Sequence, residues 1–213
     1  MIVDGKTIKE ELRDALLVKV KAISPEDRPT LFIIMAGASQ VIKNFVSIKK
    51  QFAKSLGIPV QEYVFENGKR ATTDSLVGAV QEIVRSGKKG GIVVQLPLPS
   101  LVDTQTVLNA IPLQYDIDVL GDESTRLFKE GKLAIFPPVV GAIREILLRD
   151  SVYLHNKKVA VIGRGRLVGA PAATWFRRIG SAVATFDIND PPSVRELRQA
   201  DIIVSGIGRP GFL

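Results

Sequence analysis

The sequence predicts an α/β protein of two domains, each built on a parallel sheet with helices on its faces. Short apolar segments typical of buried strands alternate with segments whose apolar residues recur every three or four positions, as in helices. Between Pro112 and Pro138 this alternation gives way to charged and Gly/Pro-containing stretches, and it then resumes. We therefore place a domain boundary in this region, with residues 1–118 as the first domain and 119–213 as the second.

The order of the predicted elements indicates that both sheets are parallel, because each strand is followed by a helix that crosses back to the next strand. In the first domain the predicted strands lie at 30–35, 60–65 and 91–96, between helices at 8–20, 41–56 and 76–84. In the second domain they lie at 158–162, 182–186 and 201–205, with helices at 143–147, 167–179 and 194–197. The predicted apolar face of the second helix is Val41, Phe45, Ile48, Phe52 and Leu56, and Gly57 closes this helix.

The composition excludes several kinds of site. The chain has 213 residues, 46% of them apolar and 24% charged, which is enough apolar material for a buried core. It has no cysteine, so disulfides and thiolate zinc sites are excluded. The single histidine, His155, lies in a polar stretch and is interpreted as a solvated turn residue. Histidine-based triads and multi-histidine metal sites are therefore excluded, and we predict no metal site.

The charge of the chain favours a small anionic partner. The formal net charge is +7, but the lysines are scattered over several predicted helices and only 6% of the residues are aromatic. Nucleic-acid-binding proteins instead gather basic residues in a patch and often add aromatic residues for stacking. We therefore predict no nucleic-acid partner. No apolar run approaches the ~20 residues of a membrane span, so we also predict a cytoplasmic protein without membrane contact.

A single amide marks the end of the third predicted strand. The segment Val94-Gln95-Leu96-Pro97-Leu98-Pro99 closes an apolar run, and its prolines end the strand because they cannot donate to a ladder. A glutamine at the carboxyl end of a buried strand indicates polar recognition at the mouth of the sheet. The alternative interpretation is a glutamine on an edge strand, bonded to the backbone of a loop.

A glycine-bearing turn follows the first strand of the second domain. It has the sequence Gly163-Arg164-Gly165-Arg166-Leu167-Val168-Gly169 and leads into a helix. Glycines between a strand and a helix let the backbone turn tightly and bring amide donors and the helix N-terminus to a pyrophosphate. The spacing G-x-G-x-x-x-G is one residue longer than the usual fingerprint. It predicts a Rossmann-like dinucleotide site with the cofactor-binding residues Gly163, Arg164, Gly165, Arg166, Val168 and Gly169.

Two signals disagree about which nicotinamide cofactor binds. Asp187 ends the second strand of this domain, close to the ~20-residue offset at which a carboxylate meets the ribose 2′-hydroxyl of NAD. Arg164 and Arg166 would instead pair with the 2′-phosphate of NADP. Asp187 thus favours NAD and Arg164 favours NADP, and the alternative for Asp187 is a cap or turn residue. Gly206, after the third strand, completes the predicted cofactor-binding set.

Six segments occur along the chain in an order that is specific to one family. They are Ile2 to Lys6, the helix carrying Lys49, residues 94–99, Asp116-Ile117-Asp118, the loop 163–171 and residues 200–212. Together they resemble the bifunctional methylenetetrahydrofolate dehydrogenase/methenyltetrahydrofolate cyclohydrolase family over the whole length of the chain. The strand ending in VQLPLP and the GRxxLVGxP loop are each specific motifs.

The resemblance implies two reactions in a cleft between the domains. The first passes a hydride from 5,10-methylenetetrahydrofolate to NAD or NADP, and the second hydrolyses the resulting cation to 10-formyltetrahydrofolate. The resemblance implies that Lys49 is the catalytic lysine, Gln95 its partner and Asp118 the carboxylate that holds the pteridine. It also implies a homodimer. The implied substrate-binding residues are Phe45, Val94, Leu96, Pro97 and Asp118.

The chain departs from the family pattern at several positions. Phe45 stands where the family usually has tyrosine, Val119 stands where it has glycine, and residues 136–140 replace a Thr-Pro segment. The missing tyrosine hydroxyl predicts a dehydrogenase with weakened cyclohydrolase activity. The departures are also compatible with a non-catalytic folate- or nucleotide-binding protein. Because family members continue beyond the position of Leu213, we expect an incomplete gene product with poor cofactor affinity.

Overall fold

The computed structural model of the protein describes residues 2–37, 40–65, 71–209 and 211–212. The chain divides into two compact units, Met1–Glu123 and Ser124–Leu213. Each unit contains a parallel α/β sheet, so the predicted fold class is confirmed. The domain boundary predicted at residue 118 lies close to this division and stays a prediction.

Unit 1 contains a sheet in the order β2-β1-β3, with β1 paired in parallel to both neighbours. Its strands are β1 (Thr30–Ala36), β2 (Val60–Phe65) and β3 (Gly90–Gln95), within one residue of the predicted bounds. Its helices are α1 (Gly5–Lys21), α2 (Gln40–Ser55), α3 (Thr73–Arg85) and α4 (Thr104–Asn109), and α5 (Asp122–Glu130) begins at the division.

The sheet of unit 1 has an apolar layer on each face. On one face Phe32, Ile34, Ile92 and Val94 pack with the α3 residues Leu76, Val80 and Ile83. On the other face Ile33 and Met35 pack with Ile42 and Val46 of α2. Because side chains alternate between faces along a strand, β1 contributes to both layers.

The predicted buried face of α2 is wrong for most of its length. Val41, Phe45 and Ile48 are 64%, 55% and 62% exposed, whereas Ile42, Val46 and Ala53 are buried. This helix carries two neighbouring apolar stripes, and the one with smaller side chains faces the sheet. The prediction holds only at the C-terminal end, where Leu56 is buried. Gly57 follows at φ +71°, as the predicted helix closure requires.

Local side-chain bonds define several helix starts. Asp4 accepts hydrogen bonds from the backbone N–H groups of Lys6 and Thr7 at the start of α1. At the start of α3, the hydroxyls of Thr72 and Ser75 each accept from the other residue's backbone N–H. Such caps satisfy amide donors that have no partner inside the helix.

Unit 2 contains a second parallel sheet, in the order β5-β4-β6. Its strands are β4 (Lys158–Ile162), β5 (Ala182–Phe186) and β6 (Ile202–Ser205), and its helices are α6 (Pro138–Arg149), α7 (Gly169–Arg178) and α8 (Val194–Gln199). The α7 residues Ala172, Trp175 and Phe176 are buried, and α7 packs against β4 and β5. The first strand of the unit, β4, thus lies between the second and the third, an order that occurs at the switch point of doubly wound parallel sheets.

The segment that replaces the family's Thr-Pro motif starts helix α6. Pro138 is its first residue, a position where the missing N–H costs nothing. The Phe136 ring meets Phe128 edge-on at 6.4 Å between centroids, and the Arg144 guanidinium lies 5.5 Å from the Phe136 centroid. This departure therefore has a packing role inside unit 2. None of the helices described is long and apolar enough to cross a membrane.

Candidate functional site

Lys49 lies on the side of α2 that faces the sheet. It follows the buried residue Val46 by three positions and precedes the buried Ala53 by four, so all three lie on one helix face. Lys49 itself is partly buried, and its Nζ donates a hydrogen bond of 3.2 Å to Oε1 of Gln95. The structure thus brings together two residues that lie 46 positions apart in the chain.

Gln95 is the last residue of β3 and pairs in register with Met35 of β1. Its Oε1 accepts from Lys49, and its Nε2 donates to the backbone carbonyl of Leu96 at 3.1 Å. The alternative interpretation, a glutamine on an outer strand that bonds to loop backbone, agrees with these contacts, whereas polar recognition of a ligand by Gln95 stays a prediction. Gln95 bonds to backbone on an outer strand of the sheet, and it also holds a lysine at the carboxyl end of that strand.

A tight turn after α4 places Asp118. The buried Asp116 bridges to Ile92 of β3, and its carboxylate accepts hydrogen bonds from the N–H groups of Leu120 and Gly121 at 3.1 and 2.9 Å. These bonds fix both ends of the turn that contains Asp118. Asp116 is therefore a structural carboxylate, whereas Asp118 is available for a ligand.

Gly91 of β3 makes room for this turn. A Cβ atom at this position would lie 2.5 Å from Cγ2 of Ile117, which is closer than real Cβ contacts allow. Gly91 is buried in the strand, and the Ile117 side chain lies directly against its backbone. A glycine inside a strand often marks such a close approach by another segment. The position of Asp118 therefore depends on the missing side chain at Gly91.

Burial raises the pKa of the Asp118 carboxyl, because the charged form loses hydration. The nearby Lys49 ammonium lowers that pKa and the Asp116 carboxylate raises it, but burial is the largest cause. Lys49 is thus close enough to Asp118 to act on it electrostatically. Carboxyl groups with shifted pKa values are frequent at functional sites.

Val119, directly after Asp118, occupies an unusual backbone conformation. Its φ is +56°, in the left-handed region that β-branched residues rarely adopt, and its side chain is buried. This conformation costs on the order of 1 kcal/mol. A glycine, which the family resemblance implies here, would adopt this conformation without strain, whereas this chain forms the turn with a valine.

The other predicted substrate-binding residues differ in exposure. Phe45 is 55% exposed on α2, one helical turn before Lys49. Pro97 is exposed and follows a cis peptide bond, and Leu96 is partly buried. Val94 is buried in the core, so its side chain is not available to a substrate and only its backbone remains.

The glycine loop of unit 2 is closely packed at two of its glycines. Gly163 has φ +102°, and a Cβ there would lie 3.2 Å from the carbonyl carbon of Gly206 after β6. A Cβ at Gly169 would lie 1.7 Å from the carbonyl oxygen of Gly163. These glycines let α7 begin directly over the end of β4 and bring the ends of β4 and β6 together. Nucleotides bind at this type of strand crossover in open α/β sheets.

The loop also meets the steric requirements of a dinucleotide pyrophosphate. Gly165 and Arg166 are exposed, and a Cβ on Gly165 would meet nothing within 4 Å. The partly buried Val168 precedes α7, and no side chain caps that helix. An uncapped helix N-terminus beside an open glycine loop favours an anion. The residues present therefore fit a nicotinamide dinucleotide.

Arg164, Asp187 and Asp190 form an arginine–aspartate cluster beside this loop. The Arg164 Nη1 donates to Oδ2 of Asp187 at 2.6 Å, and its Nη2 donates to Oδ2 of Asp190 at 2.6 Å. Nη2 also donates to the Thr185 carbonyl at 3.0 Å. Sequence reasoning identified Arg164 and Asp187 as opposing signals but missed Asp190. The Asp-x-x-Asp spacing before two prolines was the available signal, since it is typical of a turn.

His155 is exposed in a turn of unit 2, as predicted, and its Nδ1 lies close to Gly180. Across the ranges that the structure describes, no three acidic, histidine or cysteine side chains are grouped as metal ligands would be. The candidate chemistry therefore rests on the lysine, the amide and the carboxyl of unit 1 and on the nucleotide loop of unit 2.

Comparison with models of protein families gives two matches that cover most of the chain. Residues 3–118 match the model described as the catalytic domain of tetrahydrofolate dehydrogenase/cyclohydrolase. Residues 137–213 match the model described as the NAD(P)-binding domain of the same enzymes.

Similar proteins and structures carry related names. "Bifunctional protein FolD" of Halothermothrix orenii is 32% identical, over 98% of this chain and 74% of the relative. The protein of the same name from Mycoplasma mobile is 28% identical, over 100% of this chain and 73% of the relative. The structure of Trypanosoma brucei methylenetetrahydrofolate dehydrogenase-cyclohydrolase, complexed with NADP and an inhibitor, matches with a TM-score of 0.93 and 26% identity. It covers 100% of this chain and 73% of the other.

Proposed function

The chain belongs to the tetrahydrofolate dehydrogenase/cyclohydrolase family, and on this premise we propose how its own residues serve the two reactions of that family. The first reaction oxidises 5,10-methylenetetrahydrofolate to 5,10-methenyltetrahydrofolate with NAD or NADP as acceptor. The second hydrolyses the methenyl product to 10-formyltetrahydrofolate. The observation that carries the proposal is the hydrogen bond from Lys49 to Gln95, together with the electrostatic effect of Lys49 on the partly buried Asp118.

Asp118 binds and orients the folate in this proposal. An ionised carboxylate accepts two hydrogen bonds, which matches the paired N–H donors on one edge of a pterin. Burial makes that ionisation unfavourable in the free protein, so folate donors would replace the hydration that Asp118 has lost. The partly buried Leu96 and the exposed Pro97 and Phe45 supply apolar surface near this edge.

The dehydrogenase step needs orientation more than proton transfer. One C–H bond of the carbon that bridges N5 and N10 breaks, and its hydrogen leaves with both electrons, so the bridge becomes a cation. The bound nicotinamide ring supplies the acceptor for this hydride. Asp118 and the apolar residues would hold the bridge carbon at reacting distance from the nicotinamide ring. Such positioning of reactants accounts for large rate effects in enzymes.

The cyclohydrolase step needs a proton carrier. Water adds to the bridge carbon of the methenyl cation, the bond from that carbon to N5 breaks, and one proton is released as 10-formyltetrahydrofolate forms. Lys49 is the proposed carrier, because its amine is held by the neutral Gln95 at the carboxyl edge of the sheet. General acid–base groups of this kind contribute roughly 10²–10⁴-fold to the rate.

In unit 2, Gly163, Gly165, Gly169 and Gly206 would hold the cofactor pyrophosphate against the uncapped start of α7. Val168 lines the same turn, and a Cβ on Gly206 would meet its Cβ at 2.9 Å. Backbone N–H groups at a helix N-terminus suit this ligand because they donate to phosphate oxygens at no cost in side-chain entropy.

A second candidate function is binding without catalysis. The ring of Phe45 lacks the tyrosine hydroxyl of the family, and Val119 strains the turn beside Asp118. The bond between Lys49 and Gln95 favours the enzyme, because a protein that only binds has no need for a lysine held in this way.

Replacing Lys49 by methionine tests the proposal. We expect hydrolysis of methenyltetrahydrofolate, followed by its absorbance, to fall by about 10²-fold or more. Folate affinity, measured by calorimetry, should change much less. Reduced nicotinamide formation from methylenetetrahydrofolate should also persist at a measurable rate.

Lys50→Met is the matched control, because Lys50 lies on the same helix as Lys49, pairs with Glu62 of β2 at 2.6 Å and makes no bond to Gln95 among the described contacts. If Lys49→Met and Lys50→Met retain equal cyclohydrolase rates, the proposed role of Lys49 is wrong. If the wild-type chain binds folate but forms neither product, the binding function replaces the enzymatic one.

We further propose a homodimer and a cytoplasmic location. The family resemblance supports the dimer, and the absence of cysteine from the sequence fits a reducing compartment. Light scattering of the purified chain tests the dimer, since a monomeric mass at micromolar concentration would contradict it. A fluorescent fusion, followed in cells, tests the location.

A further inference from the structure

The arginine–aspartate cluster lies where the adenosine ribose of a dinucleotide binds in Rossmann-like sheets. Arg164 is in the loop after β4, and Asp187 directly follows β5, which pairs with β4 up to Ile162 and Phe186. The two residues thus stand at the carboxyl ends of neighbouring strands. A carboxylate at the end of this second strand accepts the ribose 2′-hydroxyl of NAD.

Asp187 is held in place from two sides. Its Oδ1 accepts from the N–H groups of Asn189 and Asp190 at 2.8 and 3.1 Å, while its Oδ2 accepts from Arg164. The Asp187 side chain is 23% exposed, compared with 64% for Asp190. Asp187 is therefore a fixed acceptor, and Asp190 is a more exposed second partner of the arginine.

The negative charge around Arg164 exceeds the positive charge of its guanidinium. It bonds to two carboxylates and one carbonyl, so the cluster of one arginine and two aspartates has a formal charge of −1. A bidentate arginine would be the natural partner of a 2′-phosphate, but here its fork is directed at carboxylates. A 2′-phosphate that displaced the carboxylates of Asp187 and Asp190 from Arg164 would still lie next to these two negative groups.

We propose that this cluster makes the chain select NAD over NADP. The inference rests on the proposed function, since it concerns the cofactor of the same reaction. Asp187 accepts a hydrogen bond from the 2′-hydroxyl of NAD, and the negative cluster repels the 2′-phosphate of NADP. Placing like charges against the wrong ligand is a common source of specificity.

Calorimetric titration of the chain tests the selection without any turnover. The probes are NAD, NADP, ADP-ribose and 2′-phospho-ADP-ribose, the last two of which lack the nicotinamide and isolate the adenosine end. We expect NAD and ADP-ribose to bind at least about tenfold more tightly than their 2′-phosphorylated counterparts. Equal affinities, or tighter binding of the phosphorylated probes, would overturn the selection while leaving the proposed function intact.

Substitutions in the cluster should change the ratio of the affinities for NAD and NADP in a predictable direction. Asp190→Asn should improve NADP affinity about tenfold and leave NAD affinity nearly unchanged, because it removes one negative charge and frees one side of Arg164. Asp187→Asn should weaken NAD and strengthen NADP. Asp150→Asn, an exposed carboxylate at the end of α6, is the matched control and should leave both affinities unchanged.

Three further outcomes would also contradict the inference. If the two cluster variants keep the wild-type ratio of affinities, the cluster does not determine selection. If Asp150→Asn changes the ratio as much as Asp190→Asn does, net charge rather than local geometry is responsible. If neither nucleotide binds while folate still binds to the same sample, the selection and the cofactor part of the proposed function are both wrong.

Discussion

Unit 1 and unit 2 both present their candidate residues at the carboxyl ends of the strands of a parallel sheet. Unit 1 relies on side chains, whereas unit 2 relies mainly on the backbone. In unit 1 the chemistry lies in side chains from distant segments, Lys49, Gln95 and Asp118, that meet in a partly desolvated place. In unit 2 it lies mainly in the backbone around Gly163 and Gly169, where side chains are excluded by contact.

This difference determines how each site responds to substitution. A site made of side chains can lose one chemical function and keep its shape, because each group is attached to a separate element. A site made of close backbone contacts loses its shape first, because any added atom displaces the chain. Single substitutions that add or remove a few atoms can test the contrast.

The largest effect is expected for Gly169→Ala. Its Cβ would lie 1.7 Å from the carbonyl oxygen of Gly163, so the loop or α7 must shift. We expect a loss of about 3 kcal/mol in the free energy of unfolding, together with loss of nucleotide binding. Denaturant unfolding and calorimetric titration with NAD measure the two effects.

Gly165→Ala is the matched control in the same loop, because a Cβ there meets nothing within 4 Å. It should retain wild-type stability. Folate affinity should survive Gly169→Ala far better than nucleotide affinity does. Equal behaviour of the two alanine variants would break the contrast between the units.

An intermediate effect is expected for Phe45→Tyr in unit 1. The Phe45 ring is 55% exposed, so a hydroxyl can be added without overpacking, and it restores the group that the family has beside the lysine. We expect the cyclohydrolase rate to rise by about 10²-fold and the dehydrogenase rate to change little. Phe52→Tyr on the same helix is the control. An unchanged cyclohydrolase rate in Phe45→Tyr would refute the view that this chain has weakened hydrolysis.

The smallest effect is expected for Asp118→Asn and concerns stability. Burial raises the folded-state pKa of Asp118 above its unfolded value. The contribution of the protonated Asp118 carboxyl to the stability of the folded protein is therefore complete below the unfolded-state pKa. This contribution is lost as the pH rises through the folded-state pKa. The asparagine variant should therefore gain stability relative to wild type as the pH rises from about 4 to about 7.

Denaturant unfolding of both proteins at the two pH values measures this gain, and folate titration should show weaker binding by the same variant. If the asparagine variant is more stable but binds folate more weakly, Asp118 is a carboxyl that serves binding and lowers the stability of the folded protein. A stability difference that does not depend on pH would contradict the raised pKa.

Sequence reasoning predicted the strands well because each is a short apolar run with clear ends. It failed on the face of α2, where the stripes containing Phe45 and Val46 are both apolar and only packing decides between them. It also missed α4 and α5, since both lie in a polar stretch without a continuous apolar stripe.

The contact between Lys49 and Gln95 followed from the family resemblance and was found in the structure. The Asp-x-x-Asp spacing indicated a turn at Asp190, but the contact of Asp190 with Arg164 was not predictable, because it depends on how the turn after β5 folds back toward Arg164. Side-chain pairs carried by regular elements can thus be inferred from sequence motifs. Pairs that depend on the path of a loop require coordinates.

Gly91 constrains the evolution of this site although it has no reactive group. Any larger residue there would push Ile117 away from β3 and carry the neighbouring carboxyl of Asp118 with it. Its substitution would therefore resemble the loss of an active-site residue in an assay, although Gly91 has no group that can bind or react. In a survey of variants of this chain, Gly91 should tolerate as little change as Lys49, for a purely spatial reason.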